Sequence, residues 1–294
     1  MSALPLAGAP VAQKLRAETA ENVSRLRGSG VVPRLAVVVA TDNEATLWYV
    51  RSIARAAEKA GVECAVVDLG ADARAERIAS ELTRLSADDA THGIILQTPL
   101  PPDVDADELI GAIDAGKDID GANPLSLGRL TVGQDAFAPA TARAVVEILE
   151  HYDVPVAGRH VTVVGRSAVV GKPLLQLLLQ RDATVTVCHS RSRPLDRYTR
   201  EADVVVAAVG RPDLLTGDQV RAEAVVVDVG TNVLEDGRLV GDVEPTSTAA
   251  VASALTPVPG GVGTVTTALL VLHTTQAALQ LSEAPAAAAA RCGG

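Results

Sequence analysis

Short apolar runs alternate with stretches of helical spacing along almost the whole chain. Residues 35–41 (LAVVVAT) read as a buried strand. Residues 44–60 read as a helix stopped by Gly61, where a left-handed cap suits glycine. A strand at 63–69, a helix at 74–85 and a strand at 93–97 follow, the last halted by Pro99, Pro101 and Pro102. After a helix near 106–115 comes a strand-poor stretch, 117–137, and then a helix at 141–152. A second series begins at His160, with strands at 160–165, 183–189, 203–210 and 224–230. Strands alternating with helices across short connections predict parallel sheets covered on both faces. Two such series predict an α/β fold of two domains meeting near residue 140, followed by a low-complexity tail at 283–294 (EAPAAAAARCGG).

Composition narrows the function. Of 294 residues, 48% are hydrophobic and 21% charged, a globular balance rather than a disordered one. Only five are aromatic, too few for the stacking platforms of single-stranded nucleic-acid binders. A net charge of −10 opposes phosphate backbones, so nucleic acid is a poor partner. Cys64, Cys188 and Cys292 are far apart and odd in number, which points to a reducing cytoplasm without a disulfide framework. The five histidines show no i, i+4 pairing, so no metal site is expected. No uninterrupted apolar run nears the ~18 residues of a membrane span, and no secretory leader is visible at the N-terminus. The cations divide into 22 Arg and four Lys: Lys14, Lys59, Lys117 and Lys172.

The strongest local signal is GRSAVVGKP at 165–173, between a strand and a Leu-rich helix. Gly165, Arg166, Ser167 and Gly171 shape a tight turn, and Pro173 suits the first turn of a helix. Helix N-termini present N–H groups and partial positive charge to a diphosphate. The order is G-x-S-x-x-x-G, not G-x-G-x-x-G. The plainer alternative is a glycine-rich βα connection in any doubly wound domain. The next strand ends in His189-Ser190-Arg191-Ser192-Arg193, with no carboxylate for a ribose 2′-OH. Hydroxyl and guanidinium groups there suit a 2′-phosphate, hence NADP over NAD; the alternative is a solvated loop.

These segments, with Tyr49-Val50, GIILQTPLPP (93–102), KDIDG (117–121), NPLSLGRL (123–130), VDVG (227–230), VGDVE (240–244) and TPVPGGVG (256–263), carry a resemblance. In order and spacing the chain resembles the bifunctional methylenetetrahydrofolate dehydrogenase/methenyltetrahydrofolate cyclohydrolase family from about residue 6 to 281. The resemblance implies a V-shaped molecule, usually a homodimer, with an N-terminal α/β folate-binding domain and a C-terminal Rossmann-like parallel-sheet NADP domain. A cleft between them would hold the folate. On this basis residues 1–140 form the catalytic domain, completed by a helix at 264–281, and 141–263 the NADP domain. It further implies that Tyr49 packs beside the pterin, that Gln97 lies in the reacting site, and that Asp120 anchors the pterin's amide and amino edge. Pro259, Gly260 and Gly261 would line the cleft, and Thr231 would join the cofactor residues. Each has a local alternative: a core tyrosine, a glutamine bonded to the following turn, and an Asp120–Lys117 ion pair.

The sequence also departs from the family. Where the family has Tyr-Val-x-x-Lys, with a lysine central to the cyclohydrolase, Ile53 stands at the lysine position. Ala122-Asn123 replaces an aromatic and a histidine, Pro139-Ala140-Thr141-Ala142 replaces Pro-Cys-Thr-Pro, Thr264-Val265 replaces Pro-Met, and His273 replaces an asparagine. The expectation is an NADP-dependent methylenetetrahydrofolate dehydrogenase with weak or absent cyclohydrolase. The alternatives are a fully bifunctional enzyme, a non-catalytic folate- or NADP-binding paralogue, and an enzyme on a different small substrate.

Overall fold

The computed structural model of the chain describes residues 3–292, with side chains as far as Glu283. Two compact units emerge. One comprises Lys14–Ala138 and the chain from Thr267 onward; the other comprises the N-terminal segment through Gln13 and Pro139–Thr266.

The unit built on Lys14–Ala138 has a three-stranded parallel sheet in the order Glu63–Asp68, Arg34–Val39, Gly93–Leu96. The central strand is buried along nearly its whole length, which is why it reads as an unbroken apolar run. The edge strand Glu63–Asp68 is largely exposed instead, with Val66 in solvent. Ala36, Val38, Ile94 and Leu96 pack against Ile78, Leu82 and Leu85 of the Ala75–Ala87 helix. The Glu44–Ala60 helix is capped at both ends as its sequence suggests. Asn43 accepts the Thr46 N–H at 3.0 Å, and Gly61 takes the left-handed conformation at φ 81°. The strand-poor stretch contains one further helix, Pro124–Thr131, capped by Asn123.

The other unit is a six-stranded parallel sheet in the order Leu4–Pro5, Ala254–Leu255, Val225–Asp228, Val204–Ala207, His160–Val164, Thr184–Cys188. Four of these strands are the predicted ones; two-residue strands extend the sheet at one edge. The outermost corrects the expected boundary. Leu4–Pro5 pairs with Ala254–Leu255, and Leu6 is fully buried, so the N-terminal segment belongs here rather than with the rest of 1–140. The chain turns to opposite sides after His160–Val164 and after Thr184–Cys188, which puts a topological switch point beside the first strand.

The helix Val262–Cys292 extends beyond the predicted 264–281. Among the described residues its span Val262–Glu283 is long and apolar enough to cross a bilayer, with mean hydropathy 1.3, but 72% of the apolar stretch within it is buried in the protein. It is a core helix by that measure. Of the expected tail, the side chains past Glu283 and the last two residues lie outside the described residues.

Candidate active site

In the nucleotide-type unit, the GRSAVVGKP turn follows His160–Val164 at the switch point. Gly165 has φ 134°, and a Cβ on it would meet the Ala208 carbonyl oxygen at 2.2 Å; one on Gly171 would meet the Gly165 oxygen at 2.1 Å. Both glycines are therefore required for backbone to pass over backbone. Ser167 folds the loop on itself: its Oγ accepts the Val170 N–H at 3.1 Å, and its carbonyl accepts the Lys172 N–H at 3.1 Å. Arg166 and Ser167 remain exposed in front of the Gly171–Leu179 helix.

The end of Thr184–Cys188 continues into a tight turn. The Ser192 N–H donates to the His189 carbonyl at 2.8 Å, and the Arg191 N–H donates to His189 Nδ1 at 3.1 Å. Ser190, Arg191 and Arg193 are exposed on it. Among the described residues, no ion pair involves Arg166, Arg191 or Arg193. Guanidiniums left unneutralised beside a helix-opening turn fit a 2′-phosphorylated dinucleotide.

Two buried aspartates that sequence reasoning quoted only within motifs organise the rest of this edge. Asp228 accepts N–H bonds from Gly230, Asp242 and Val243. Asp242 accepts from Val209, Gly210, Arg211 and the Asn232 amide. Burial, together with the nearby Asp242 carboxylate, pushes Asp228 up to about 6 against the pull of those bonds. Thr231 is exposed just after Gly230. Pro259 and Gly260 are exposed, and Gly260 has φ 104°. Gly261 is buried, and a Cβ there would meet the Pro257 carbonyl at 2.6 Å. The protein's own packing thus requires glycine at Gly261.

In the other unit, Tyr49 lies within electrostatic reach of Asp120. Burial, and secondarily the Asp120 carboxylate, raise the Tyr49 phenol far above its ordinary value, opposed by a hydrogen bond from the Thr267 side chain. Thr267 was invisible in the sequence, being one of several threonines in an apolar helix. The surroundings of Ile53 and of the four lysines are also clear. Ile53 is 0% exposed, on the buried stripe Val50–Ile53–Ala57 one turn after Tyr49. Lys14, Lys59 and Lys172 are exposed, and Lys117 Nζ donates to the Ser86 and Asp88 carbonyls at 2.8 Å each. Lys117 therefore anchors its loop to backbone, which replaces the Asp120–Lys117 pairing considered above.

The KDIDG loop owes its shape to its first aspartate. Asp118 is buried and accepts the Ala122 and Asn123 N–H groups and the Ser126 hydroxyl; burial pushes its carboxyl up despite them. Asp120, two residues on, is half-buried. Gln97 extends the strand pairing, its N–H donating to the Val38 carbonyl at 2.9 Å, while its side-chain amide donates to the Thr98 carbonyl at 2.9 Å. The local alternative for Gln97 is thus realised, and its amide is held at the strand end. Among the described residues no group of three or more His, Cys, Asp or Glu could hold a metal ion.

Two family models cover most of the chain: the tetrahydrofolate dehydrogenase/cyclohydrolase catalytic domain over residues 6–120, and the NAD(P)-binding domain of the same family over 139–282. The chain belongs to the tetrahydrofolate dehydrogenase/cyclohydrolase family. It is 64% identical over 277 residues to the bifunctional protein FolD 1 of Paenarthrobacter aurescens, covering 94% of each chain. Among solved structures it is similar to the bifunctional FolD dehydrogenase/cyclohydrolase of Campylobacter jejuni, with TM-score 0.92, 36% identity and coverage of 95% of this chain and 99% of that one. It is similar also to the Trypanosoma brucei FolD complexed with NADP cofactor and an inhibitor, with TM-score 0.89, 36% identity and coverage of 96% and 99%. The two-domain α/β architecture, with a catalytic domain and a parallel-sheet nucleotide domain, is that of this family.

Proposed function

We propose that this chain, an NADP-dependent enzyme of the tetrahydrofolate dehydrogenase/cyclohydrolase family, oxidises 5,10-methylenetetrahydrofolate to 5,10-methenyltetrahydrofolate and has weak or absent cyclohydrolase activity. The carrying observation is Ile53, fully buried at the family's lysine position one turn after Tyr49.

The two reactions differ in what they ask of that position. In dehydrogenation the methylene C–H bond breaks with both electrons, and a ring nitrogen lone pair forms the new C=N bond. NADP supplies the hydride acceptor, held by Gly165, Arg166, Ser167, Gly171, Ser190, Arg191 and Thr231. No proton is transferred, so orientation alone can carry much of the rate. In our assignment Asp120 takes the amide and amino N–H groups of the pterin, Tyr49 packs beside it as a neutral phenol, and Gln97 lies at the reacting edge. Pro259, Gly260 and Gly261 contribute the facing turn. Cyclohydrolysis adds water to the methenyl carbon and then breaks a C–N bond, with protons moving in both steps. General acid–base help there is typically worth ~10²–10⁴-fold. An isoleucine side chain has no group to give it.

A second reading, full bifunctionality, is favoured by the naming of the 64% identical relative as bifunctional. One time course separates them. Protein is mixed with methylenetetrahydrofolate and NADP, and NADPH and the methenyl chromophore are followed separately beside uncatalysed hydrolysis. NADPH rising while methenyl product decays only at the background rate is the expected result; faster decay selects the bifunctional reading. A cytoplasmic homodimer with neither nucleic-acid nor membrane partners completes the proposal, supported by the family resemblance and the acidic composition.

A further inference from the structure

The C-terminal helix touches the folate-side pair at two points. Besides the Thr267 hydrogen bond to Tyr49, His273 reaches the loop that carries Asp120. His273 is 6% exposed, its Nδ1 lies 2.8 Å from the Ile119 carbonyl oxygen, and its ring sits 5.0 Å from that of Phe137 at 38°. A carbonyl has no proton to give, so Nδ1–H is the donor. The Ile119 carbonyl shares a rigid peptide plane with the Asp120 N–H. Holding that oxygen therefore fixes the plane from which Asp120 departs. Next to this contact, a Cβ on Gly93 would meet Thr274 Oγ1 at 2.9 Å and Ile119 at 3.1 Å, so strand, loop and helix have closed on one another there.

We propose that Thr267 and His273 are positioning residues of the folate site, one helix holding Tyr49 through a hydroxyl and the Asp120 loop through an imidazole, so that phenol and carboxylate keep one fixed spacing. The proposal rests on the assignment of Tyr49 and Asp120 to the pterin. Thr267 and His273 stand six residues apart, about 9 Å along the axis at ~1.5 Å per residue, so the helix acts as a ruler between its two attachments. Neither residue touches the substrate in this scheme; each acts through a neighbour.

The test uses the full chain, tetrahydrofolate binding by calorimetry, and KM values for methylenetetrahydrofolate and NADP. His273→Leu removes the donor and should weaken tetrahydrofolate by roughly 3–10-fold, the worth of one net hydrogen bond, and raise the folate KM alone. His273→Asn returns an N–H at the same place and should restore most of the affinity. Thr267→Val is close to isosteric and guards against misfolding of the leucine variant. It should weaken binding in the wild-type background and do nothing further in Tyr49→Phe, because its effect passes through the phenol. Equal losses in His273→Leu and His273→Asn, or a full Thr267→Val effect on top of Tyr49→Phe, would overturn the proposal while leaving the folate assignment standing. Wild-type protein that takes up no tetrahydrofolate would overturn that assignment and the proposal together.

Discussion

Asp118 and Asp120 lie two apart in one five-residue motif, yet they do different work. The first is consumed by three local hydrogen bonds; the second is the neighbour of Tyr49. Asp120→Asn should therefore cost roughly 10–100-fold in kcat/KM for the folate, the value of hydrogen bonds to a charged group. The KM for NADP should not move, and steady-state kinetics in both substrates checks this. Arg191→Ala should lower the NADP-over-NAD preference by roughly 10-fold, the low end of the same range, with Arg166 sharing the load. An unchanged ratio of kcat/KM values for the two nucleotides would remove Arg191 from the phosphate site. At this scale the sequence was readable where spacing and backbone geometry coincide, as at Gly165 and Gly171. It was silent on Thr267, since a threonine in an apolar helix commonly bonds its own backbone, as Thr266 does with Val262 and Thr274 with Leu270.

Among elements, the long Val-rich strands were legible because burial on both faces leaves an unbroken apolar signature. Leu4–Pro5 and Ala254–Leu255 were not, because two residues are too few to show a period. The short Pro245–Val251 helix illustrates how a terminus is held. Glu244 caps it, accepting the Thr246 and Ser247 N–H groups and the Ser247 hydroxyl, and these bonds hold its carboxyl down at about 2. A carboxyl whose folded value lies below its ordinary 4.5 gives its full stabilisation above that pH and loses it as pH falls toward 2. Glu244→Ala should accordingly destabilise the protein at pH 7 by about 1 kcal/mol, the usual worth of a cap. The difference from wild type should shrink below pH 4.5 and vanish only once the pH has fallen through about 2, which urea titrations at a series of pH values would show. A pH-independent difference would place the loss in packing instead.

For the molecule as a whole, each unit is assembled from separated pieces of chain: the N-terminal segment joins Pro139–Thr266, and the chain beyond Thr267 joins Lys14–Ala138. Leu6, fully buried in the nucleotide-type unit, carries part of that closure. Leu6→Ala should cost about 2–5 kcal/mol, and saturating NADP should recover part of it, because a ligand that binds only the folded form raises its stability. Thermal melts with and without NADP would show both effects. The same braiding sets an order of events at the ribosome. Leu4–Pro5 leaves the ribosome some 250 residues ahead of its strand partner, Ala254–Leu255, and Lys14–Ala138 must wait for the helical segment from Thr267 onward. A nascent chain halted after residue 138 holds neither unit complete, so the apolar surface of Lys14–Ala138 that the segment from Thr267 covers must be kept from other chains until that segment has been made.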